Sequence, residues 1–76
     1  MSIKVRYFAS IRELLGRDED KLEMAPGMTA AQAWQMATQQ DAPANTLVAI
    51  NEEFSNWQQP VDDGDEVAFF PPVNGG

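Results

Sequence analysis

Residues 29–37, Thr-Ala-Ala-Gln-Ala-Trp-Gln-Met-Ala, contain the clearest helix start in the sequence, and the predicted fold class depends on this helix. Thr29 and Gln32 have capping-box spacing, in which the hydroxyl and the amide side chain bond to backbone N–H groups reciprocally. Apolar residues then recur at the i, i+3, i+4 and i+7 positions of one helix face. This stripe, which must pack against a sheet or another helix, consists of Ala30, Ala33, Trp34 and Ala37.

Strand patterns lie on both sides of this helix. Residues 2–9 alternate apolar and polar side chains, and Phe8 on the polar face predicts that the far end of this strand is buried on both sides. Residues 66–70 are apolar on both faces, as expected of a central strand. The other predicted strands are residues 18–24, residues 46–50 and, after a turn at 51–53, residues 54–57.

A second, shorter helix is predicted for residues 10–16. Ser10 is its predicted N-cap, Glu13 reaches back to the first turn, and Gly16 ends it. Since there is one main helix, the economical architecture is a mixed sheet wrapped over it. The predicted class is therefore α+β with a β-grasp arrangement, in which a globular domain at 1–70 precedes an extended tail at 71–76.

The composition excludes several classes of function. The 76 residues include no Cys and no His, so the commonest thiol nucleophile, general base and metal ligands are missing. The net charge is -7, every Lys and Arg lies within residues 1–21, and residues 51–76 carry acids without a cation. This distribution argues against nucleic acid and favours a partner with a basic surface. The apolar runs are too short to span a membrane, which predicts a soluble cytoplasmic protein.

The end of the sequence is the segment expected to carry function. Pro71 and Pro72 cannot donate to a sheet ladder, so they end the last strand and extend the chain. Gly75 and Gly76 have no side chains, so this end could enter a narrow tunnel and leave its carboxylate unobstructed. Many chain ends are merely frayed, but an apolar Pro-Pro segment favours a docking tail.

Three segments resemble the family of molybdopterin synthase small subunits. The members of this family are ubiquitin-like sulfur carriers. Residues 5–16, VRYFASIRELLG, are similar to the opening strand and short helix of that family. Residues 47–51, LVAIN, resemble its middle strand, and residues 63–76, DGDEVAFFPPVNGG, resemble its closing strand and tail. The tail motif is highly specific, whereas residues 25–45 match only in containing a helix and contribute little.

The resemblance implies that the reactive group is the carboxylate of Gly76. A separate activating enzyme, which uses ATP, would adenylate this carboxylate, and a sulfur-donating enzyme would supply the sulfur for a thiocarboxylate. The tail would then enter the large subunit of a heterotetrameric synthase and give its sulfur to a pterin precursor. The implied tail residues are Pro71, Pro72, Val73, Asn74 and Gly75, and the implied partner-binding residues are Phe69 and Phe70.

On this interpretation the chain is a sulfur donor that binds no cofactor or metal, and its partners supply the catalytic groups. Two alternatives share its fold and its glycine end. The first is the thiamine-pathway sulfur carrier, to which Trp57 gives a faint similarity, whereas the short helix and Phe-Phe-Pro-Pro at 69–72 favour the molybdopterin family. The second is a ubiquitin-like protein modifier.

A third alternative is an enzyme that uses a cluster of acids for metal binding or acid–base chemistry. These acids, Asp62, Asp63, Asp65 and Glu66, lie around Gly64, which favours a solvated turn.

Overall fold

A five-stranded sheet and two helices make up residues 1–72, the part of the chain that the computed structural model describes. The elements are β1 (Ser2–Tyr7), α1 (Ala9–Leu15), β2 (Glu19–Glu23), α2 (Ala30–Thr38), β3 (Leu47–Ile50), β4 (Glu53–Phe54) and β5 (Glu66–Phe70). The strand order is β2-β1-β5-β3-β4, with β1 and β5 parallel and the other neighbours antiparallel. The predicted α+β class, the mixed sheet and the central position of residues 66–70 are confirmed.

The core lies between one face of the sheet and α2. Trp34 is its centre, with its ring 5.0 Å from the ring of Phe69 and 6.2 Å from that of Tyr7, both in edge-to-face geometry. Ala30 and Ala33 are buried and Ala37 packs against the core, so the predicted apolar stripe is confirmed. The strand residues buried opposite α2 are Ile3, Val5, Tyr7, Val48, Val67 and Phe69.

Local interactions fix both ends of α2. The Gln32 N–H donates to Thr29 Oγ1 at 3.2 Å, and the Thr29 N–H donates to Gln32 Oε1 at 2.9 Å, which confirms the capping box. The helix ends where Gln39 adopts the left-handed conformation. Arg17 then donates from Nη2 to the carbonyl of Ala37 at 2.7 Å, satisfying one of the last acceptors of the helix.

The predicted N-cap of α1 is wrong. The helix begins at Ala9, and its N-cap is Phe8, whose side chain makes no capping hydrogen bond. The Phe8 carbonyl instead accepts from the N–H groups of Ile11 and Arg12, while Ala9 has a φ of 52°. The strand therefore turns into the helix two residues earlier than the Ser10 prediction allows. The predicted end at Gly16 is confirmed by its φ of 73°.

Two strand predictions also need correction. Phe8 lies beyond the end of β1 and is 37% exposed, because it follows Arg6 on the outer face and not on the α2 face. The return strand β4 ends at Phe54, since Trp57 turns into the core and stacks on Phe69 at 5.3 Å. Within residues 1–72, no helix is long and apolar enough to cross a membrane.

Candidate docking surface and tail

The alternation of β5 assigns different roles to the two phenylalanines at its end. Phe69 is completely buried beneath α2, so it is a core residue and offers no surface to a partner. The expectation that Phe69 contacts a partner is therefore corrected. Phe70 lies on the opposite, open face of the sheet and is partly exposed. Of the two aromatic residues predicted to bind a partner, Phe70 is the one placed to do so.

Phe70 belongs to an apolar surface on this open face, the open-face cluster, made of Phe8, Ala49, Phe54, Ala68 and Phe70. The rings of Phe54 and Phe70 are 5.8 Å apart, and Phe54 is 78% exposed. Phe8 lies in the same groove because its N–H donates to the Phe69 carbonyl at 3.2 Å. Exposed aromatic residues gathered in this way are typical of a protein-binding surface.

Sequence reasoning missed Phe8 and Phe54 as members of this surface. Strand alternation could have found Phe8, because the side chains of Lys4, Arg6 and Phe8 share one parity and the first two are charged. Phe54 joins this surface through the pairing of β4 with β3, in which it lies opposite Ala49. That long-range register has no comparable local signal.

The tail leaves the sheet beside the open-face cluster. The last strand ends at Phe70, as the two prolines predict, and Pro71 is half-buried while Pro72 is exposed. The other tail residues predicted to act, Val73, Asn74, Gly75 and Gly76, lie outside the described residues, and their roles stay predictions.

Charged side chains border the cluster on two sides. On β1, Arg6 Nη1 lies 3.9 Å from Glu66 Oε2, and the guanidinium carbon is 5.1 Å from the centre of the Phe8 ring. On the other side, Glu52 lines the same groove from the hairpin between β3 and β4. The open face therefore combines an apolar centre with a border of mixed charge.

The acids at 62–66 form a turn stabilised by hydrogen bonds. Asp65 accepts from the Asp62 N–H at 2.8 Å and from Asn51 Nδ2 at 2.9 Å, while Asp63 accepts from the Ser2 N–H at 2.8 Å. Within residues 1–72, no group of three or more acids is placed to hold a metal ion. This arrangement favours a structural turn over an acid–base site.

The strongest pKa shift lies on the core side of the sheet, away from the cluster. Burial raises the pKa of Tyr7 well above its usual value, and a hydrogen bond donated to Asp20 Oδ2 at 2.8 Å raises it further. Arg17 Nε donates to the same oxygen at 2.6 Å, and this bond raises the pKa of Arg17. Since the group links β1, β2 and α2, we assign it a structural role.

The mixed five-stranded sheet and the helix packed on it define a ubiquitin-like β-grasp protein. A model of the ThiS family matches residues 5–76. The molybdopterin synthase sulfur carrier subunit of Escherichia coli (strain K12) is 41% identical, over 97% of this chain and 99% of that protein. The chain therefore belongs to the ThiS family of small β-grasp proteins.

Solved structures agree on the fold. SAMP1 from Haloferax volcanii has a TM-score of 0.80 and 24% identity, with 100% of each chain covered. A chain in the complex of subunits 1 and 2 of molybdopterin-converting factor from Helicobacter pylori 26695 has a TM-score of 0.69 and 20% identity, again with 100% of each chain covered. At these identities the likeness shows the shared fold.

Proposed function

We propose that this chain is a sulfur carrier in molybdenum cofactor biosynthesis and that its working group is the carboxylate of Gly76. The observation that carries this proposal is the 41% identity, along nearly its whole length, to a protein named molybdopterin synthase sulfur carrier subunit. The chain also has the Gly-Gly end that such a role requires and lacks both His and Cys.

The proposed chemistry begins with activation of the carboxylate. A carboxylate is a poor acceptor for a sulfur nucleophile because oxide is a poor leaving group. An ATP-dependent activating enzyme joins the Gly76 carboxylate to AMP and releases pyrophosphate. Sulfur at the oxidation level of hydrosulfide, supplied by a donor enzyme, then attacks the acyl carbon and expels AMP. Loss of the S–H proton leaves a thiocarboxylate, whose sulfur is nucleophilic.

The proposed delivery step takes place inside the large subunit of molybdopterin synthase. The open-face cluster, centred on Phe70, docks on that subunit and aligns the tail with its active site. Delivery to a pterin precursor then benefits from proximity and orientation, while the large subunit supplies the catalytic groups. The two-subunit complex of the Helicobacter pylori fold relative supports an assembly of this kind.

Intact-mass measurement tests the activation step directly. After incubation with the activating enzyme, ATP and a sulfur donor, we expect the mass change of one oxygen replaced by one sulfur, located at Gly76 by fragmentation. An isopeptide-linked adduct on other proteins, without any thiocarboxylate, would favour the protein-modifier alternative and contradict the proposal.

Deletion of Gly76 tests the delivery step. The shortened tail retains a carboxylate, but its reach falls by about 3.3–3.6 Å. Since a misplacement of 1 Å can cost about a hundredfold in a positioned reaction, we expect the variant to fold and fail to form dithiolene with the large subunit. Asp62→Asn, which changes an exposed side chain of the acidic turn, is the matched control and should stay active. Full activity of the deletion variant would refute the assignment.

A further inference from the structure

Arg6 has an incomplete set of partners on the open face. Its Nε–H is buried and has no acceptor within residues 1–72, although 41% of the side chain is exposed. The distance of 3.9 Å between Nη1 and Glu66 Oε2 exceeds that of a hydrogen bond. The ring of Phe8 covers the guanidinium on one side and offers no oxygen acceptor. Among the described residues, 1–72, Arg6 therefore lacks an acceptor for this donor.

Docking extends this deficit to the rest of the Arg6 side chain, because the Nε–H is already shielded from water and the exposed 41% of the side chain is not. A partner that covers Phe8, Ala68 and Phe70 also removes water from Arg6, because all four residues line one groove. A guanidinium that loses water without gaining an acceptor opposes binding. The partner must consequently supply an oxygen acceptor at this point of the interface.

The charges around Arg6 indicate which kind of oxygen acceptor the partner supplies. Glu52 and Glu66 line the groove with Arg6, and Glu19 lies opposite Arg6 in the β1–β2 register. A carboxylate from the partner would meet three acids around one cation. A neutral oxygen accepts the hydrogen bond without adding charge.

We propose that Arg6 is a specificity-determining residue of the docking face, which donates its Nε–H to a main-chain carbonyl of the partner surface that covers the open-face cluster. This inference rests on the proposed function, since it requires that a partner docks on this face. The half-exposed side chain turns on docking to present the donor. A partner with an apolar surface but no carbonyl at this point is discriminated against, because Arg6 is then buried without an acceptor.

Three substitutions separate the donor from the charge. In Arg6→Gln, the side-chain amide nitrogen takes the position of Nε, so a donor is kept and the charge is lost. Arg6→Lys keeps the charge and places a methylene at that position. Arg6→Met keeps the apolar stem and removes both the donor and the charge.

The test is the Kd of each variant for the large subunit of molybdopterin synthase from the same organism, at low and high salt. We expect Arg6→Gln to bind nearly as tightly as the unchanged protein, and Arg6→Lys and Arg6→Met to bind about tenfold more weakly or worse. An Arg6→Gln affinity no better than that of Arg6→Met overturns the proposal, as does full affinity of Arg6→Lys.

Two controls distinguish a failure of this inference from unfolding of the variants and from a failure of the proposed function. Circular dichroism and thermal unfolding establish that each variant is folded, which is expected because Arg6 lies on the open face. If the unchanged protein does not bind the large subunit, the proposed function fails. If it binds and the variants rank otherwise than expected, only the role of Arg6 fails.

Discussion

Phe69 and Phe70 are consecutive residues of β5 whose side chains lie on opposite faces of the sheet. The Phe69 ring packs 5.0 Å from Trp34 in the core, and the Phe70 ring lies 5.8 Å from the exposed Phe54. One dipeptide thus contributes both to the stability of the domain and to the surface beside the tail. These two contributions can be measured separately.

Alanine substitution at these positions should produce contrasting effects. Phe69→Ala should lower the free energy of unfolding by about 3–5 kcal/mol, since it leaves a cavity in the core. Phe70→Ala should leave the domain folded but weaken binding to the large subunit by about 2 kcal/mol, as expected of an aromatic anchor. Denaturant unfolding and calorimetric titration measure the two effects. Unchanged binding by folded Phe70→Ala would show that the docking face is wrongly assigned.

Asn51 joins the β3–β4 hairpin to the start of β5. Its Oδ1 accepts from the Glu66 N–H at 3.0 Å, and its Nδ2 donates to Asp65 Oδ1 at 2.9 Å. Asn51→Ala should therefore lower the free energy of unfolding by about 1–3 kcal/mol. Asn51→Gly is the matched control, because Asn51 has a φ of 51° and glycine removes the side-chain bonds without backbone strain. A fully stable Asn51→Gly protein would mean that these bonds contribute nothing.

Stability should depend on Tyr7 at alkaline pH. The pKa of Tyr7 is raised in the folded protein by burial and then by Asp20, so folding favours the neutral phenol. The resulting stabilisation is fully present below the ordinary tyrosine pKa of about 10 and is lost as the pH rises above it. Urea unfolding between pH 8 and 11 should show a steeper loss of stability for the unchanged protein than for Tyr7→Phe. Parallel curves for the two proteins would rule out this coupling.

Acids without a role in hydrogen bonding should govern the rate of docking. Asp62 and Glu53 are exposed, and neither carboxylate accepts a hydrogen bond within residues 1–72, whereas those of Asp63 and Asp65 do. Association with a basic partner should slow as salt rises, because salt screens exposed charges beyond about 10 Å at 0.1 M. Stopped-flow measurements should show a smaller salt dependence for the Asp62→Asn, Glu53→Gln double variant. If the association rate of the unchanged protein does not depend on salt, these acids contribute to solubility and not to docking.

Local signals predicted the parts of the fold that depend on neighbouring residues. The Thr29–Gln32 capping box and the stripe around Trp34 are set within one or two helical turns, and the structure contains both. The prediction of Ser10 as the N-cap was wrong because the path from β1 into α1 is set by hydrogen bonds to the Phe8 carbonyl and by the left-handed conformation of Ala9. A side-chain pattern does not encode that backbone choice.

The candidate docking surface was only partly predictable. The apolar character of residues 66–70 was evident from the sequence, but the assignment of Phe69 to the core depends on which face of β5 meets α2. Phe54 joins Phe70 only through the pairing of β3 with β4 and with β5. The unsatisfied Arg6 Nε–H likewise follows from the packing of Phe8 and Glu66, which a single sequence does not specify.

The parallel pairing of β1 with β5 has a consequence for biosynthesis of the protein. Lys4 pairs with Glu66 and Tyr7 with Phe69, so β1 gains this neighbour only when β5 has been synthesised. Until β5 emerges, β1 has only β2 as a neighbour, and the buried rings of Tyr7 and Trp34 lack Phe69. Folding of this domain is therefore expected to be completed only after β5 has been synthesised. A nascent chain interrupted before Glu66 could display neither a closed core nor a docking face, so abortive products would not compete with finished carriers for a partner.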